Sequence, residues 1–333
     1  MERKHKQPKT LQEAVVYFAD PNNALAYMTL LRWPGGVVSC PTCGRNDVVF
    51  LHNQRKWQCK SVHAKRQFSA KVGTIFEDSP IPLEKWLVVV WMISNCRNGV
   101  SSYEIGRTIG VTQKSAWFML HRIRLAMQEG GGLLGGGPNS EVEADETFIG
   151  GKARNMHKDV KARRIHAKQG NSAVDKVLVM GMLERGGRIR TEVLKNRFTE
   201  TLRENLNKHV AVGAALYTDE FNAYKGVKDQ YLHAFCDHTD QYVKGRVHTN
   251  GIENFWSLLK RGLSGTYVAV EPFHMFRYLD EQCFRYNNRK DGKRKLTDKE
   301  RFDLALAGVT GKRLTYVQVT GKTRETETSA ESF

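Results

Sequence analysis

Apolar positions along the chain change their period several times, and each change marks an element. Leu11, Val15 and Phe18, then Ala24 to Leu31, recur at helical spacing and predict a helical lead over residues 1–37. Val48 to Leu51 form a short strand-like run within a cysteine-bearing segment over 38–72. The stretch from Leu83 to Ser94 is almost continuously apolar, and Ser101 to Arg124 resolves into two short helices, giving a helical region over 80–128. Residues 129–138, EGGGLLGGGP, interrupt the pattern and predict a flexible, glycine-rich linker. Beyond it, strands are expected at Glu141 to Gly150, Lys176 to Leu183 and Ile189 to Leu194, the last two joined by the hairpin Arg185-Gly-Gly-Arg188. A polar helix from Thr199 to His209 leads to a strand from Ala211 to Tyr217. The helix from Asn250 to Arg261 has Ile252, Phe255, Trp256, Leu259 and Leu263 as its packing face, and a last helix spans Pro272 to Arg289. An α/β domain over 139–290 and a partly disordered C-terminal extension over 291–333 complete the division.

Composition narrows the class. With 333 residues, 40% hydrophobic and only 8 prolines, the chain has enough apolar surface for two or three cores. The longest apolar run, Leu87 to Ile93, is far below the roughly 20 residues a bilayer needs. No apolar stretch follows MERKHKQPK, so a membrane or secreted protein is excluded and a cytoplasmic one expected. The 52 Lys and Arg outnumber 35 Asp and Glu, and a net charge of +17 points to a polyanionic partner, nucleic acid first.

The cysteines sharpen this. Cys40-Pro-Thr-Cys43-Gly44 is followed, fifteen residues on, by Cys59-Lys-Ser-Val-His63. A Cys-x-x-Cys knuckle aims two thiolates at one ion, and a second pair closes the tetrahedron zinc prefers, so Cys40, Cys43, Cys59 and His63 are expected to hold one structural Zn²⁺. Downstream, Ser101 and Glu104 have capping-box spacing, Gly110 ends a helix and Thr112 starts another. Two short helices about a glycine turn, the second basic, describe a helix-turn-helix. An apolar stripe of Ala116, Met119, Leu120 and Ile123 leaves Gln113, His121, Arg122 and Arg124 more exposed, with Gln113, Lys114, Arg122 and Arg124 expected as DNA contacts.

Three acids stand at informative places. Asp145 lies within a strand, Asp219 where a strand passes into a loop, and Glu253 on the later helix. Clustered carboxylates are the hard oxygen ligands that two Mg²⁺ (or Mn²⁺) ions require, and such a pair can drive phosphodiester chemistry. Lys260, nearly two turns after Glu253, projects from the same helix face beside Arg261 and is suited to a DNA phosphate.

The collinear series RWPGGVVSCPTCG, QFSAKVGTIFEDSPIPLEKW, AWFMLHRIR, VEADETFIGGK, YTDEFNAYKGV and HTNGIENFWSLLKRGLSGTY resembles the zinc-ribbon insertion-sequence transposases of the ISXO-like, Merlin-related group over nearly the whole length. The resemblance implies a multidomain α+β and α/β chain: a zinc ribbon and helix-turn-helix, then an RNase H-like mixed sheet flanked by helices. It implies an acidic triad at Asp145, Asp219 and Glu253 with Lys260 as the following basic residue. The partners implied are double-stranded DNA, both element ends and target, bound by a homodimer or higher oligomer in the nucleoid. Two departures stand out: Val62 occupies the place of a fourth cysteine, and Asn250 and Asn254 flank Glu253, where some relatives use asparagine.

The segment from Lys152 to Lys168 carries seven basic residues, Lys152, Arg154, Lys158, Lys161, Arg163, Arg164 and Lys168, against Asp159. Such a run repels itself and is expected to lie along DNA phosphates beside Asp145. Two other functions are compatible with these motifs: a DNA-binding regulator with an inert second domain, and an RNase H-like nuclease that cuts without joining.

Overall fold

The computed structural model describes residues 7–137, 140–150, 176–219, 224, 230–235 and 247–320. The chain divides into two compact units, and the first is discontinuous: residues 1–128 are joined by residues 296–333, with 129–295 forming the second.

In the first unit, α1 (Leu11–Phe18) and α2 (Pro21–Arg32) start at Thr10 and Asp20, whose side chains accept amide hydrogens of the first turn. A ribbon follows, with antiparallel strands β1 (Val48–Leu51), β2 (Lys56–Cys59) and β3 (Gln67–Phe68). Its apolar filling is Trp57, which stacks on Phe68 and meets Phe50 and Trp33 edge-on or tilted. So small a core needs the added restraint of a metal. Helix α3 (Leu83–Asn95) is apolar on nearly every side because α1, α2 and two later helices, Gln113–Met127 and Asp298–Ala307, all pack on it. Helices α4 (Ser102–Ile109) and α5 (Gln113–Met127) form the expected helix-turn-helix. Ser101 and Thr112 cap them, and Gly110 makes the turn at φ 65°.

In the second unit, β4 (Glu141–Ile149), β5 (Val177–Glu184) and β6 (Ile189–Leu194) form an antiparallel meander. Helix α6 (Thr199–His209) crosses back, and β7 (Ala215–Thr218) and β8 (Leu232–Phe235) add in parallel beside β4. The order β6-β5-β4-β7-β8, third-second-first-fourth-fifth along the chain, is the RNase H-like arrangement. Even-numbered β4 and β5 residues (Val142, Ala144, Met180, Met182) pack against α6 through Leu202 and Leu206. Odd-numbered ones (Ile149, Val179, Leu183) face α7 (Asn250–Gly262) and α8 (Met275–Asn287). The hairpin β9 (Lys290–Asp291) and β10 (Arg294–Lys295) closes the unit.

Two expectations are corrected. Residues 129–137 are docked, not loose: Leu134 is 2% exposed and bridges Val210, Arg190 donates to the carbonyls of Gly131 and Gly132, and a Cβ on Gly135 would lie 2.8 Å from Ala214. Glycine here permits close approach to the starts of β4 and β7. The C-terminal extension expected over 291–333 is split. Its first residues belong to β9 and β10, whereas α9 (Asp298–Ala307) and α10 (Tyr316–Thr320) return to the first unit. There Phe302 is fully buried against Phe18, Tyr27 and Trp91. Residues 321–333, expected to fray, lie outside the described residues.

Candidate active site and metal centre

The ribbon cluster is built by two loops. The knuckle after Cys40 turns tightly because the amide of Gly44, at φ +74°, donates to the Cys40 carbonyl at 2.8 Å. Strand β2 delivers Cys59, paired with Val48, and four residues later His63 comes back. One ligand atom from each of Cys40, Cys43, Cys59 and His63 lies within 4.8 Å of the others. Cys43 Sγ is 3.6 Å from Cys59 Sγ, and Cys40 Sγ is 3.5 Å from His63 Nε2. These are about the edges of a tetrahedron around zinc with ~2.3 Å sulfur bonds. His63 Nδ1 meets the Ala64 carbonyl at 2.7 Å, which reserves Nε2 for the metal. Burial opposes ionisation of Cys59, yet hydrogen bonds from His63 and Ser61 outweigh it and bring the thiol down to about 6. The donor set therefore fits a closed structural zinc site. Purified protein should carry about one zinc per chain. Cys43→Ala should lose the ion and the ribbon's sheet while the second unit keeps its melting transition; full folding of zinc-free protein would refute this.

The second site is centred on β4. Register between β4 and β7 pairs Glu143 with Tyr217, so two residues further on Asp145, in the middle of β4, stands beside Asp219, just past the end of β7. Asp145 is raised to about 7, first by burial and then by the negative charge of Asp219. Two repelling carboxylates in a partly dry site fit a divalent cation. Trp256 of α7 donates its indole N–H to Asp145 Oδ2 at 2.8 Å. The β5 residue opposite Asp145 is Gly181, where a Cβ would lie 2.7 Å from that indole; the glycine makes room for the contact. Glu253 sits in the first turn of α7, exposed, accepting from Thr249 Oγ1 at 3.0 Å. Lys260 and Arg261 lie exposed in its last turn.

Glu146 points to the opposite face of β4, where Arg197 donates to it at 3.1 Å and the buried Tyr224 hydroxyl also donates to it. Burial holds its carboxyl above the usual range. Tyr224 follows Asp219 by five positions, so this contact anchors the chain leaving the site.

Residues 133–287 match the ISXO2-like transposase domain, and residues 20–64 match the transposase zinc-ribbon domain. Two domains of the ISXO2-like transposases are thus matched in one chain, the zinc ribbon and the transposase domain. A Halobacterium salinarum protein described as an uncharacterized protein in transposable element ISH50 is 29% identical over 290 residues, covering 84% of this chain and 95% of that protein. The transposase match spans β4 through α8, and thus all three acids and Lys260.

The expected DNA contacts separate sharply. Gln113 and Lys114 open α5 at the surface, Gln113 donating to Ser102 Oγ at 2.9 Å. Arg122 and Arg124 do not: they are 6% and 1% exposed, as is His121 at 1%. Arg122 donates to the carbonyls of Leu314, Ile75 and Glu77. The cause is that distant chain closes over α5: α3, α9 and α10 pack on it, and Arg122 is held by Ile75 and Glu77 from before the helix and by Leu314 from the returning C-terminal segment. Lys152, Arg154, Lys158, Lys161, Arg163, Arg164 and Lys168 lie outside the described residues. The sequence reading passed over Glu143, Glu146, Arg185 and the indole of Trp256; the signal available was that Glu143 and Asp145 share one face of a period-two strand.

Proposed function

We propose that this chain binds the ends of its own element as double-stranded DNA, cuts them, and joins the freed 3′ ends to target DNA, acting as a homodimer or higher oligomer. Asp145, Asp219 and Glu253 are the ligands for two Mg²⁺ (or Mn²⁺) ions. The observation that carries this reading is the Asp145–Asp219 pair, whose mutual repulsion a bound cation relieves. Bound there, the ions would supply an activated attacking oxygen and a stabilised leaving oxygen. The Trp256 indole orients the Asp145 carboxylate, Thr249 orients that of Glu253, and Lys260 holds a backbone phosphate at the same helix. Incubation of purified protein with the element ends and Mg²⁺, with strand breaks mapped at nucleotide resolution, tests the reading; absence of breaks at the ends would overturn it.

DNA contact is assigned to the start of α5. Lys114→Ala should weaken binding to every sequence and lower the salt slope by about one, as loss of a phosphate contact does. Gln113→Ala should shift base preference by roughly 1–3 kcal/mol if its amide reads a base edge. Arg124→Ala should lower the melting temperature and leave the preference of the folded fraction unchanged. Competition binding against mutated ends separates these outcomes, and a preference altered by Arg124→Ala alone would contradict the assignment.

A further inference from the structure

Glu143 stands two residues before Asp145 on the same face of β4, is 1% exposed, and has no part in the chemistry above. A buried carboxylate is tolerated only when it is paired and hydrogen-bonded, so its partners identify its task. Arg185 Nε donates to it at 2.7 Å, and the amide of Ile252, in the first turn of α7, donates at 2.9 Å. Arg185 in turn donates to the His248 carbonyl at 2.7 Å, just ahead of the helix, with His248 Nδ1 3.6 Å from Glu143. Its other nitrogen reaches Glu141 at 3.3 Å, and its guanidinium lies over the Tyr217 ring.

The packing is equally specific. A Cβ on Gly251 would lie 2.7 Å from Glu143 Oε2 and 2.7 Å from Leu183, so any larger residue would push one of these side chains out of its present place. Thr249, at the N-cap position, gives its hydroxyl to Glu253 and makes no side-chain cap of its own. Glu143 therefore takes over the capping of α7, from the strand that carries Asp145.

We propose that Glu143 is a positioning residue for the metal site. It ties the first turn of α7, and with it Glu253, to β4 and Asp145 through the Ile252 amide and the Arg185 fork, with Gly251 as the contact that permits it. This inference rests on the reading of Asp145, Asp219 and Glu253 as the metal ligands.

The test compares Glu143→Gln, Gly251→Ala and Asp145→Asn in the full chain. Free Mn²⁺ is titrated by electron paramagnetic resonance in the absence of DNA, and Mg²⁺ activation of end cleavage is followed separately. Glu143→Gln and Gly251→Ala should each weaken Mn²⁺ binding about 10- to 100-fold, the range found when an outer partner of a metal ligand is lost. Their cleavage should recover at high metal concentration, and Asp145→Asn should not recover. Arg185→Lys, which keeps the charge but loses the fork, carries the same expectation should Glu143→Gln not fold. Wild-type Mn²⁺ affinity in the folded variants, alongside loss in Asp145→Asn, would overturn the inference and spare the metal-site reading. Wild-type affinity in Asp145→Asn as well would overturn both.

Discussion

Asp145→Asn should abolish cutting and joining while leaving the protein folded and able to hold element ends. Asparagine keeps the shape that accepts the Trp256 indole, and it removes a charge that Asp219 repels. The variant should thus melt no lower than the parent in metal-free buffer. Its cleavage rate should fall by roughly three orders of magnitude or more, since stabilisation by a positioned cation is worth several kcal/mol. Asp219→Asn and Glu253→Gln should behave alike. The sharpest comparison sets Glu253→Ala against Asn250→Ala and Asn254→Ala under one Mg²⁺ concentration, with end binding measured in parallel. Full cleavage by the Glu253 variant, with loss in either asparagine variant, would move the third ligand off Glu253.

The second large effect is expected far from any acid. Removing residues 296–333 should unfold the first unit and abolish end binding, though it leaves the ribbon and both helices of the helix-turn-helix in the chain. The deletion strips Phe302, Leu306 and Val309 from the core, together with Lys312, whose ammonium meets the Leu125, Ala126 and Gln128 carbonyls at the end of α5. It also leaves the buried Arg122 without its Leu314 partner. Truncating one buried phenylalanine costs about 3–5 kcal/mol, and a domain's whole margin is about 5–15 kcal/mol. Even Phe302→Ala should lower this unit's melting temperature markedly. Limited proteolysis and circular dichroism of the 1–295 fragment would decide; a protease-resistant first unit that still binds ends would exclude the dependence.

What could be read beforehand was what is local. The knuckle at Cys40 and Cys43 announces itself by spacing, and α6 and β6 have the bounds their periodicity predicts. Asp145 and Asp219 were legible because strands alternate and end in recognisable ways. The misreadings share one origin, contacts between distant stretches of chain. The surface arginines expected on α5 are interior ones, and Arg122 shows why: Ile75 and Glu77 before the helix and Leu314 far after it take up its guanidinium. Likewise, Gly135 reflects tight docking, and no window of sequence distinguishes that from slack. Glu143 was one polar residue among several on β4 until Arg185, just after β5, and the first turn of α7 were in view.

The discontinuity of the first unit has a consequence for how the protein is made. Segments leaving the ribosome ordinarily fold in the order of synthesis. Here residues 129–295 are complete before α9 emerges, so the second unit can fold while the first still lacks a wall of its core. Copies cut short by a late stop codon or frameshift would therefore be poor competitors for element ends. The full-length product would meet little interference from its own defective relatives.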